Sequence, residues 1–121
     1  MRMKALLAMF VVFALVASAA DVAGVWNGAF RVHDGEHDVP QLFTLKQAGS
    51  RISGTGGPDS SEQYPVLHGQ LANSHLKFEI KSTLRDFVYD LKETNNELRG
   101  TVVITGGDAP VTGEVWLKAV H

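Results

Sequence analysis

The densest run of chemistry-bearing residues is His33-Asp34-Gly35-Glu36-His37-Asp38. Two imidazoles and three carboxylates within six residues offer the donor types that zinc or copper takes. Ligation would require His33 and His37 to converge across a hairpin tip. The alternative is a solvated charged turn, where polar residues belong in any case. His68 and His75 flank a second turn and would pair across it, an arrangement that can bind a metal or respond to pH. No third ligand accompanies them, so a surface pair is the plainer assignment. Asp86 and Asp90 lie four apart, on one side of an extended segment, and Glu79 would face Asp86 across a hairpin. Paired carboxylates do acid–base work when one is buried beside the other. Here Phe87, Tyr89 and Leu91 form the alternate apolar set, which puts the aspartates outside. Ser60 and Ser61 sit in no Gly-x-Ser-x-Gly elbow, and Gly54-Thr55-Gly56-Gly57 leads into Pro58 rather than a helix and lysine. Cysteine is absent, which removes disulfides, thiolate metal sites and cysteine nucleophiles. No catalytic residue and no cofactor is assigned on these grounds, and His33 and His37 stay weak metal candidates.

The elements that must position these residues begin with a leader. Arg2 and Lys4 precede an uncharged run from Ala5 to Ala20, closed by Ala17-Ser18-Ala19-Ala20. That order of basic, apolar and small residues reads as a secretory signal peptide over 1–20. Sixteen uncharged residues fall short of the 18 or more of a membrane span. The expected mature domain is 21–121, with no membrane contact, 9 Lys and Arg against 13 Asp and Glu, and all twelve glycines. This mild acidity gives no support for a nucleic-acid partner, since duplex binding needs a concentrated basic face. A secreted domain without disulfides depends on core packing alone, which suggests a bacterial periplasm.

The mature chain alternates apolar and polar residues with period two, broken by turn residues every 8–12 positions. Eight strands are expected, over 22–32, 39–47, 51–56, 64–71, 75–81, 84–92, 97–105 and 111–120. Short connections favour antiparallel pairing of neighbours. Closure into a barrel removes the two exposed edges of such a meander. The fold class is therefore all-β, an eight-stranded up-and-down barrel, although the same spacing also serves a two-sheet sandwich.

Gly24-Val25-Trp26 resembles the Gly-x-Trp signature of the calycin barrels: lipocalins, avidins and fatty-acid-binding proteins. The resemblance implies a tryptophan capping one barrel end, with a basic residue of the last strand over its ring. Lys118 is the nearest candidate. A longer run, Phe43-Thr44-Leu45-Lys46-Gln47, Gly49, Ile52-Ser53-Gly54-Thr55, Pro65-Val66, Gly69 and Leu98-Arg99-Gly100-Thr101, is similar to small secreted bacterial β-barrel domains without an established activity. Val25 stands where threonine is usual there, and Asn73 where a turn glycine is usual. The resemblance implies a fold and no chemistry.

Two binding roles remain open, beside a third possibility of an enzyme with carboxylates or histidines in the barrel mouth, which would require an inward-facing Asp86, Glu79 or His68. Trp26, Phe43, Phe78 and Phe87 would ring an interior void and bind a small apolar molecule at the barrel mouth, unless they only fill the core. Alternatively, Trp116 faces outward on the last strand and marks a surface for another secreted protein, as in a protease-inhibitor-like barrel with a free N-terminal segment.

Overall fold

A computed structural model describes residues 21–33 and 35–120. The leader expected at 1–20, Asp34 and His121 lie outside the described residues. Nine strands follow in chain order: β1 (Gly24–Val32), β2 (Val39–Ala48), β3 (Arg51–Asp59), β4 (Glu62–Pro65), β5 (Leu67–Ala72), β6 (His75–Lys81), β7 (Asp86–Thr94), β8 (Glu97–Thr105) and β9 (Val111–Val120). All pairings are antiparallel. β1 joins β2 on one side and β9 on the other, and β2 pairs with β3 to close the ring. β4 and β5 both pair with β3 and together form one bent stave, so the wall is a closed eight-stranded up-and-down barrel rather than a sandwich.

The hairpins follow from local chemistry. Asn73-Ser74 and Asn95-Asn96 each place both central residues at positive φ, between 51° and 66°. A two-residue type I′ turn requires that, and asparagine tolerates it best after glycine.

The stave expected over 64–71 is broken at Val66. His68 adopts φ 56° beside a register shift between Leu67 and Gln70, and Val66 N donates to Gly54 O at 2.8 Å. The segment 57–61, expected as a loop, is instead the end of β3 and a tight turn. Asp59 Oδ1 accepts from Ser61 N, Ser61 Oγ and Glu62 N at 2.7–3.0 Å. An aspartate that replaces the missing backbone partners in this way shortens the loop and lets both flanks extend. The Ser61 hydroxyl and amide hold its carboxyl below the ordinary carboxylate range.

Inside, the core is graded. Leu45, Ile52, Leu71, Leu76, Leu91, Leu98 and Leu117 fill the end where β1 begins. Val22, fully buried ahead of β1, plugs that end: Val22 N donates to Gln47 Oε1, and Trp26 Nε1 donates to Val22 O at 2.9 Å. Lys118 does not cover Trp26. It alternates with the inward Leu117 and sits exposed beside Asn27 and Glu97 on the outer wall. The cap on Trp26 is therefore the N-terminal segment, not a basic side chain.

A candidate ligand pocket at the barrel mouth

Toward the other end the core turns aromatic. Phe43 meets Phe78 and Tyr89 edge-on, with ring centroids 5.5 and 5.4 Å apart. Tyr89 stacks on Phe78 at 4.7 Å and on Phe87 at 6.4 Å, and Phe87 reaches Phe30 at 6.3 Å. The column runs from the middle of the barrel to its open mouth. There it ends in a cavity of about 120 Å³, lined by Phe30, Pro58, Tyr64, Ile80, Phe87 and Tyr89. Val39, Glu62 and Ser82 stand at its edge.

The floor of this pocket is polar. Gln41, 4% exposed, accepts a hydrogen bond from the Tyr89 hydroxyl through Oε1 at 2.7 Å and donates through Nε2 to Pro40 O. No described buried side-chain polar atom lacks a partner. Alternation put Tyr89 on the apolar face, but nothing in the sequence singled out Gln41. Period two puts this glutamine on the inward face with Phe43 and Leu45, but its polarity gave no reason to count it in the core.

The Tyr89–Gln41 pair yields a prediction. Tyr89→Phe removes the donor and leaves Gln41 Oε1 buried and unpartnered, so unfolding free energy should fall by about 1–3 kcal/mol. Burial also pushes the Tyr89 phenol up from its ordinary value. The unfolded chain ionises first, so the stability carried by the neutral phenol is complete below about pH 10 and is lost as pH rises beyond it. The alkaline fall in chemical-denaturation midpoint should therefore be shallower in Tyr89→Phe than in the parent. Parallel slopes would show that Tyr89 is not shielded.

The aromatic residues expected to ring a void separate into two groups. Trp26, Phe43 and Phe78 are packed solid within the core, and only Phe87 reaches the pocket. Phe30, Gln41, Tyr64 and Tyr89, which complete the walls and floor, were not among the expected ligand contacts.

Among the described residues, the polar clusters do not assemble. Asp38 is engaged by Arg31, with Nε to Oδ1 at 2.7 Å, and no three histidine, aspartate or glutamate side chains converge on a metal position among the described residues. His68 and His75 do not meet: His68 pairs with Glu79 at 3.1 Å and His75 with Asp90. Asp86 stands opposite Lys81, and Glu79 opposite Val88, so these carboxylates do not face each other either. All lie on the outer wall, where an acid–base pair would remain solvated.

Trp116 does face outward, half-buried, between Arg99 of β8 and Ala29 of β1. On one side lies a broad hollow of about 770 Å³ bordered by Lys92, Asn95, Arg99 and Glu114; on the other lies a smaller one of about 260 Å³ beside Arg31 and His33. Compared with known proteins, the chain matches no family model, no curated protein and no solved structure.

Proposed function

We propose that this is an exported, non-enzymatic binding domain of calycin type, sent to a periplasm by its leader, whose barrel mouth takes a small apolar group. The observation that carries this reading is the mouth cavity itself, with aromatic walls over a buried Tyr89–Gln41 hydrogen bond. Ligand sites are mostly apolar hollows with a few fixed polar groups. The size narrows the ligand. About 120 Å³ is well below the ~300–1,000 Å³ of a drug-sized site and close to the ~150 Å³ that holds benzene. A single ring or a short branched group fits; a fatty acid or a tetrapyrrole does not.

Phenol is a suitable probe, since it offers one ring and one hydroxyl. Titrated into the ¹⁵N-labelled protein, it should shift the amides of Phe30, Gln41, Phe87 and Tyr89 and leave those of Leu76 and Leu98 in place. Native mass spectrometry of protein purified from its own cells should show a small added mass. Unmoved mouth amides together with a bare mass would sink the reading.

A second reading, a protein-binding module, is favoured by one observation: Trp116 stands half-buried between two outer hollows. Trp116→Ala would then abolish partner capture without changing the phenol shifts. The inhibitor-like version finds less support, because the N-terminal segment it needs free is tied into the barrel end through Val22.

A further inference from the structure

Resting on the reading of the mouth as a binding site, we propose that its ligand is a small organic cation: an ammonium group bearing methyl or short alkyl substituents. Four aromatic residues line the pocket, and because Tyr89 is stacked between Phe78 and Phe87, the cage rests on the rings of Phe30, Tyr64 and Phe87. Aromatic faces are electron-rich, and a cage of them attracts a desolvated ammonium that has apolar substituents. The rim supplies the matching charge. Glu62 borders the cavity, and its Oε2 accepts the Tyr64 hydroxyl at 2.6 Å, which orients the carboxylate beside one wall of the cage. Among the described residues, the ion pairs engage Asp38, Glu79, Asp90 and Glu97, but no cation reaches Glu62.

The lining also excludes the opposite charge. Among the described residues no lysine, arginine or histidine borders the cavity, so an anionic ligand would meet a carboxylate and aromatic rings with nothing to offset its own desolvation. A neutral hydrocarbon would fill the volume but bring Glu62 no counter-charge. A quaternary or tertiary ammonium answers the volume, the rings and the carboxylate together. The excess of acids over bases on 21–121 adds a weak long-range attraction in the same sense.

The test compares two molecules of one shape on the unmodified full chain. Choline and 3,3-dimethylbutan-1-ol differ in a charged nitrogen against a neutral carbon. Each is titrated against the ¹⁵N-labelled protein, with phenol as the apolar reference. Choline should shift the amides of Gln41, Tyr64, Phe87 and Tyr89 and bind about tenfold more tightly than its neutral isostere. Glu62→Gln, at an exposed position, should erase about that tenfold advantage, whereas Glu114→Gln on the outer wall should not. Equal binding of the two isosteres, or shifts with phenol alone, would overturn the cation assignment and leave a mouth that takes apolar groups. Choline shifts unaffected by both Glu62→Gln and Phe87→Leu would place the cation elsewhere and likewise overturn it. Silence with all three probes would remove the mouth as a binding site and this inference with it.

Discussion

Phe43→Ala should lower the free energy of unfolding by about 3–5 kcal/mol, a large share of the ~5–15 kcal/mol that holds a domain of this size together. Phe43 is 0% exposed and touches two other rings edge-on. It stands opposite Trp26 on β1 and opposite Gly56 on β3, where a Cβ would lie 2.5 Å from its ring carbons. The ring thus occupies the space that glycine leaves, and its removal opens a cavity that three rigid staves cannot close. The same change should weaken phenol binding at the mouth, because Tyr89 stacks between Phe78 and Phe87 and loses the edge-on contact that holds it there. Phe87→Ala, at a half-buried site, should cost less stability while affecting binding directly. Urea unfolding followed by tryptophan fluorescence measures the first effect and the phenol titration the second. A Phe43→Ala variant within 1 kcal/mol of the parent would contradict the account of a tightly packed aromatic core.

The barrel was legible because alternation is a local signal with a global consequence. Phe87, Tyr89 and Leu91 point one way and Asp86, Val88 and Asp90 the other, and one register serves the whole wall. Less legible was the point where the wall bends. His68 in a left-handed conformation and the divided stave depend on how β3 must curve to reach both β4 and β5, and no short-range pattern encodes that. The mouth was hidden for a related reason. Which of several inward aromatics lines a cavity, and which is sealed in the core, depends on height along the barrel axis. Height is set by the strand offset around the ring, which cross-strand register reveals and periodicity does not. Trp26, Phe43, Phe78 and Phe87 look alike in sequence, yet only Phe87 of the four stands high enough to line the mouth cavity. Pairing the histidines by sequence proximity failed similarly. In the register β6–β7, His75 lies within reach of Asp90, while His68 is turned toward Glu79 by the bulge.

Gly54→Ala should be comparably damaging, by about 3 kcal/mol or more, and it isolates what the bend requires. Gly54 adopts φ 125°, a region that side chains rarely enter, and a Cβ built there would fall 2.0 Å from Thr44 O. Two costs are therefore superimposed: a backbone strain of about 1–3 kcal/mol and a forced separation of β3 from β2. Gly24 separates them. Its φ is 129°, nearly the same, but nothing lies within 4 Å of its Cβ position. Gly24→Ala should thus show the strain alone, and the difference between the two variants measures the close approach of β2 and β3. Thermal unfolding gives the comparison, since each 1 kcal/mol is worth about 4–8 °C in a domain of this size. The Gly54 variant should also lose phenol binding. Gly54 O anchors Val66 N at the bend, and the β3–β4 hairpin beyond it carries Pro58, Glu62 and Tyr64 to the mouth. If Gly54→Ala and Gly24→Ala prove equally mild, the wall is loose enough to accept a side chain at its tightest turn. A pocket of about 120 Å³ framed by that hairpin would then not hold its shape.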